Sequence, residues 1–221
     1  MEMNKVNDSL IEVKTKNKKA DKIFALVLCI VILLTTALIF VNKFVFLNVY
    51  VDGQSMYPTL NSGDVLFAVK GNNVVEGDII VVDGVKKNGE GGYDLLIKRV
   101  IAIGKKDKTT IVEIKNGKVY VGDSDENLKE LKESYLLDGT ITKPIPDTKE
   151  GKTRWGLGEG EIFYLGDNRE HSSDSRYAVY DMCDKDKVIA VVPEWSLSMR
   201  WLSGFMYSTG QFFNGLLRGK Q

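Results

Sequence analysis

The hydrophobic pattern changes character twice along the chain. A polar, lysine-rich start gives way at residue 23 to an unbroken apolar run, and from residue 48 the apolar residues fall into short segments separated by polar turns. The run IFALVLCIVILLTTALIFV, residues 23 to 41, carries no charge. At about 1.5 Å per residue it matches the thickness of a bilayer's hydrocarbon layer, so it predicts a transmembrane helix. A buried core helix would be shorter or show a polar face. A cleaved signal peptide would have a shorter apolar core and a small-residue cleavage site, which the following NKFVFLNVYV does not offer. The pattern therefore predicts an uncleaved anchor. Lys14, Lys16, Lys18, Lys19 and Lys22 crowd its N-terminal flank, against Lys43 on the other side. The positive-inside rule then puts the N-terminus in the cytoplasm and the rest of the chain outside.

Beyond the anchor, strand patterns dominate. NVYV (48–51), DVLFAV (64–69), DIIVV (78–82), LLIKRVIAI (95–103), EIFYLGD (161–167) and VIAVV (188–192) are rich in β-branched and aromatic residues. TTIVEIKNGKVYVG (109–122) alternates on both sides of Asn116-Gly117, which predicts a hairpin with a type I′ turn. Residues 123 to 160, with Pro144 and Pro146, read as a looser excursion from the sheet, in which SDENLKELKESY has the composition of a short helix. Near the end, Leu197, Trp201, Phe205, Phe212 and Leu216 recur at near-helical spacing, with Arg200 and Arg218 at the edges. That pattern predicts an amphipathic docking or interfacial segment. The chain divides into a solvated tail (1–21), an anchor (22–42), a β-rich domain (43–196) and an amphipathic C-terminal segment (197–221). The fold class is mainly β after one transmembrane helix.

Composition narrows the chemistry. The 30 basic residues balance 30 acidic ones, and no basic stripe is interleaved with aromatics, so a nucleic-acid-binding face is not expected. The two cysteines, Cys29 in the apolar run and Cys183 far downstream, do not suggest a disulfide scaffold. With one histidine and no cysteine cluster, a tetrahedral zinc site is not expected either.

Two stretches conflict with their surroundings. In LLIKRVIAI, Lys98 and Arg99 interrupt an apolar strand, and strand neighbours point to opposite faces. Either both cations snorkel at a sheet edge, or one of them meets low dielectric. Burial disfavours the charged ammonium, and a neutral lysine amine is a general base able to take a proton from a serine hydroxyl. Arginine stays protonated, so Lys98 is the candidate base. The second stretch, GDNREHSSDSR (166–176), packs serines, aspartates and arginines into eleven positions. It is either an ordinary polar loop or a support that orients catalytic side chains. His171 lies between Asp167 and Asp174, but closeness in sequence does not make a triad.

Four stretches in order, GQSMYPTL (53–60), GDIIVV (77–82), LLIKRVIAIG (95–104) and FYLGDNREHSSDSR (163–176), together with the anchor before them, closely resemble bacterial type I signal peptidases in their single-span Gram-positive form. The match covers roughly residues 45 to 195. The resemblance implies an extracytoplasmic, β-rich Ser-Lys peptidase domain without metal or other cofactor. It implies cleavage of signal peptides from secretory preproteins after small residues. On it, Ser55 is the nucleophile and Lys98 the general base, Ser172 hydrogen-bonds that lysine, and Asp174 and Arg176 form a supporting salt bridge. Gln54, Met56 and Ile97 are expected at the substrate. Gly53 stands where some members carry a serine hydroxyl that helps bind the oxyanion, which leaves the Ser55 N–H as the remaining donor there. Membrane lipid and proximity to the secretion translocon are the further expectations. A pilin- or conjugation-type processing peptidase, or a non-catalytic tethered β binding domain, are the alternatives. A self-cleaving repressor is opposed by the anchor.

Overall fold

The structure, a computed structural model, describes residues 2–86, 93–144 and 152–217. Pro146 and Arg218 lie outside them, as do the side chains of Phe212 and Leu216. The chain forms two compact units, Met1–Val45 and Phe46–Gln221.

The first unit is one helix, α1 (Glu2–Phe44). The lysine-rich flank continues the helix of the apolar run. Its Lys19–Phe44 part, 26 residues, is long and apolar enough to cross a membrane. That stretch is exposed all round, which suits a lipid-facing helix. Its polar interruption is satisfied internally, because the hydroxyls of Thr35 and Thr36 donate back to carbonyls one turn earlier, at 2.9 Å.

The second unit is built from two antiparallel sheets. Its strands are β1 (Phe46–Tyr50), β2 (Val65–Lys70), β3 (Ile79–Lys86), β4 (Tyr93–Ile103), β5 (Thr110–Lys115), β6 (Lys118–Gly122), β7 (Lys129–Glu130), β8 (Arg154–Leu157), β9 (Glu161–Leu165), β10 (Cys183–Asp184) and β11 (Val188–Val192). Seven form one sheet in the order β1-β2-β11-β3-β4-β9-β10, and four form the other in the order β7-β6-β5-β8. Asn116 and Gly117 both take positive φ, 52° and 79°, as a type I′ hairpin between β5 and β6 requires. The stretch SDENLKELKESY does not form the expected short helix. It gives a 3-10 turn at Asp125–Asn127 and then the two residues of β7, which pair with β6.

Among the described residues, three apolar clusters hold this unit. One lies against the large sheet and joins Leu66, Ile79, Val81, Ile97 and Val192 to Met56 and Leu60. A second joins the sheets, with Val112, Ile114, Trp155 and Leu157 packed on Ile101, Phe163 and Leu165. The third covers Val82, Val100, Ile162 and Tyr164.

The C-terminal segment is helical, as α2 (Glu194–Ser198) and α3 (Arg200–Leu217). β11 pairs with β2 only at Val69 and Lys70, so the earlier part of β2 needs other partners on that side. Two serines supply them: Ser196 Oγ accepts the Phe67 N–H at 2.9 Å, and Ser203 Oγ donates to the Val65 carbonyl. Small polar residues thus face the sheet, while Trp195, Trp201 and Phe205 are left exposed.

Candidate active site

The nucleophile candidate sits on the turn that follows β1. Gly53 opens the turn at φ +89°, a conformation that L side chains rarely adopt, and its N–H donates to Ser62 Oγ at 3.2 Å. Two backbone bonds, Tyr57 N–H to Gln54 C=O at 3.1 Å and Leu60 N–H to Met56 C=O at 2.9 Å, close the turn around Ser55. Met56, expected at the substrate, is instead 1% exposed and belongs to the core. Its long apolar side chain anchors the turn from below, while Ser55 and Gln54 face the cleft.

Lys98 reaches the same point from β4. It is 3% exposed, with Nζ at 2.8 Å from both Ser55 Oγ and the carbonyl of Ile97. Among the described residues no ion pair includes it. Burial lowers the ammonium's pKa from 10.5 to about 8, although the negative charges of Asp174 and Asp167 oppose the shift. Arg99, next in the chain, makes two bonds to Asp167, Nε to Oδ1 at 2.9 Å and Nη2 to Oδ2 at 2.7 Å. Thr59 Oγ1 donates to the same carboxylate at 2.5 Å, and Arg99 Nη1 donates to the Gly77 carbonyl at 2.9 Å. The strand thus turns both cations inward, and neither snorkels at an edge.

The loop 166–176 closes over this pair. The Asn168 N–H donates to the Ser55 carbonyl at 3.0 Å, and its side-chain amide donates to the Gln54 carbonyl at 3.1 Å. The buried Asp174 carboxylate accepts the Gly166 N–H at 3.1 Å and pairs with the Arg176 guanidinium at 2.7 Å. A methyl group at Gly166 would collide with Ser172 and with the Ser55 carbonyl, so only glycine lets the loop approach this closely. The expected bond from Ser172 to Lys98 is not formed. Ser172 Oγ is buried without a hydrogen-bond partner among the described residues, because Nζ points to Ser55 and the Ile97 carbonyl. His171 is exposed on the cleft wall, and Ser55 Oγ has Lys98 as its partner. The cleft itself, about 440 Å³, runs between β1 and residues 95–98 of β4, Ile97 among them, and is also lined by His171 and Ser173. Among the described residues no cluster of side chains is suited to hold a metal ion.

Sequence reasoning missed the polar residues that hold this loop, Thr59, Glu133, Tyr135 and Asp167 as the partner of Arg99. The one available signal was the pair of cations on β4, each of which needs a carboxylate or a loss of charge.

The family model described as "Signal peptidase, peptidase S26" matches residues 23–195. The chain belongs to this family. The Signal peptidase I of Bacillus licheniformis is 32% identical over 187 residues, covering 81% of this chain and 90% of that protein. The Signal peptidase I T of Bacillus subtilis is 33% identical over 176 residues, covering 74% and 80%. A crystal structure of a signal peptidase I from Enterococcus faecalis aligns with a TM-score of 0.38 and 21% identity, over 55% of this chain and 97% of that one. The family match spans the apolar part of α1 as well as both sheets, so the Ser55–Lys98 contact lies well inside a signal peptidase domain.

Proposed function

We propose that this signal peptidase cleaves secretory preproteins with a Ser55–Lys98 dyad. The observation that carries the proposal is the 2.8 Å approach of Lys98 Nζ to Ser55 Oγ, with the amine buried and, among the described residues, not engaged in an ion pair. As a neutral amine, Lys98 takes the Ser55 proton while Oγ attacks the scissile carbonyl. The proton then passes to the leaving amine, and an acyl-enzyme remains. Water, deprotonated by the same amine, hydrolyses the ester. The Ser55 N–H donates to no group among the described residues and stands ready for the oxyanion.

Two backbone edges flank the cleft. Among the described residues β1 pairs only with β2. Residues 95–98 of β4 pair with β3 on one side, while β9 takes over on the other side only from Arg99 onward. An extended peptide fits between these edges as an added strand, with its scissile bond over Ser55 and Gln54 and Ile97 beside it. Loop positioning by Asp174 and Arg176 supports the same geometry. The lysine flank supports an orientation with the N-terminus in the cytoplasm and the peptidase domain outside. The exposed Trp195, Trp201 and Phe205 suit contact with membrane lipid, where signal peptides reside.

The test is direct. Full-length wild-type protein in detergent, incubated with a labelled preprotein, yields a mature chain that starts after a small residue. Ser55→Ala lowers that yield by about a thousandfold or more. Equal cleavage by both proteins rules the dyad out.

A further inference from the structure

We infer that Glu133 and Tyr135, which lie outside the four sequence motifs, are positioning residues for Ser55 and act through Arg169. The inference rests on the Ser55–Lys98 proposal, since it concerns how that serine is held.

Arg169 is the hub. Its side chain is fully buried, at 0% exposure, and that of Glu133 is 10% exposed, so the two form a desolvated ion pair. All three guanidinium nitrogens are engaged. Nε donates to the Gly166 carbonyl at 3.1 Å. Nη1 donates to Thr142 Oγ1 at 2.6 Å and to Glu133 Oε2 at 3.1 Å. Nη2 donates to Glu133 Oε1 and to the Tyr135 hydroxyl oxygen. That hydroxyl donates in turn to Glu133 Oε1 at 2.8 Å. A guanidinium saturated in this way has one orientation.

From this hub a short chain of contacts leads to the nucleophile. Arg169 fixes the Gly166 carbonyl, and two residues later the Asn168 N–H holds the Ser55 carbonyl at 3.0 Å. Between them Asp167 receives Arg99, whose guanidinium carbon lies 3.9 Å from the centre of the Tyr135 ring. Glu133 therefore holds Arg169, Tyr135 touches both Arg169 and Arg99, and the turn 166–169 that these arginines hold carries the backbone of Ser55. Arg176 adds a parallel tie from the same loop, donating to the Lys143 carbonyl at 3.0 Å. The segment 131–143 is a strap bonded to the loop 166–176 through Arg169 and Arg176. Among the described residues, none of the strap lines the cleft or hydrogen-bonds Lys98, so its effect on catalysis runs through the placement of Ser55.

The placement of an attacking oxygen is worth about a hundredfold in rate per ångström. Removing the Glu133 carboxylate outright would also strand a buried guanidinium and weaken the fold. Glu133→Gln is therefore the main variant, since it keeps the shape and one acceptor oxygen. Tyr135→Phe is the second, since it keeps the ring against Arg99 and removes the shared hydroxyl. Each full-length variant in detergent is assayed on a fluorogenic signal-peptide substrate, at a temperature where its near-UV circular dichroism matches the wild type. Glu133→Gln lowers kcat about tenfold and Tyr135→Phe about threefold, with KM within about twofold and the midpoint of the pH–rate profile unmoved. Glu133→Asp, which restores the charge, recovers part of the loss. A folded Glu133→Gln enzyme with wild-type kcat overturns the inference. So does a loss that appears only in KM, or one that vanishes when rates are normalised to the folded fraction. Full activity of Ser55→Ala in the same assay would instead sink the dyad itself.

Discussion

On one face of β4, Lys98 is buried beside a serine hydroxyl and a backbone carbonyl and takes part in no described ion pair. On the other face, one residue on, Arg99 is held by both oxygens of Asp167 and stacked on Tyr135. Both cations have left water. A lysine meets that cost by releasing its proton, and a fall in pKa to about 8 makes it a base near neutral pH. A guanidinium keeps its charge, so its face must carry a carboxylate. On the proposed dyad the two faces divide the work: one holds the chemistry, the other holds the loop that positions it.

Exchanging the roles of the faces should have the largest effect. Lys98→Arg keeps the charge and removes the base, and cleavage of a preprotein should fall by about a thousandfold or more. Turnover near the wild-type rate would show that the two faces are equivalent and that lysine is not the base. On the other face, Asp167→Ala leaves Arg99 without its counter-ion, in a site where the Arg99 side chain is 11% exposed. Breaking a buried pair from one side costs about 3–5 kcal/mol, which urea unfolding of the variant would measure. A loss below about 1 kcal/mol, as exposed pairs give, would mean that water already screens this face.

The two faces were not equally legible in the sequence. Lys98 and Arg99 stood out because they broke an apolar strand, and most strand positions followed from local pattern, down to the Asn116-Gly117 turn. The partners of Arg99 did not stand out. Asp167 lies 68 residues away and Glu133 lies 36 residues from Arg169, and no periodicity links such polar pairs. Glu133 and Tyr135 fell in a stretch read as a loose excursion, although part of it is the strap bonded to the loop 166–176 and part forms β8. Ser55 carried meaning only through its resemblance to a known motif. Its neighbour Met56 was misplaced for a physical reason: in a polar turn, an apolar side chain suits a substrate surface and a core anchor equally well, and only the packing against Leu60 and Ile79 decides between them. The Ser172 bond was carried over from the resemblance, and the geometry around Lys98 does not contain it.

The smallest effect is the one that measures the Lys98 face directly. Its ammonium has a folded pKa of about 8 against an ordinary value of 10.5. Below pH 8 both folded and unfolded chains hold the proton, and the folded state bears the full burial penalty. Between about 8 and 10.5 the unfolded state binds more protons, so stability rises with pH, and above that window the penalty is gone. At about 1.4 kcal/mol per pH unit, the gap corresponds to about 3 kcal/mol. Lys98→Met removes the penalty and forgoes the bond to the Ile97 carbonyl, so at pH 7 it should stabilise the fold by about 2 kcal/mol. The advantage should shrink towards zero by about pH 10. Below pH 8, just under that window, the wild-type kcat/KM should climb about tenfold per pH unit, and it should level off above pH 8. Urea unfolding of both proteins at several pH values, set beside the wild-type pH–rate profile, tests whether one proton governs both. If the stability difference were independent of pH while the rate still climbed, the burial of Lys98 would not be what makes it a base.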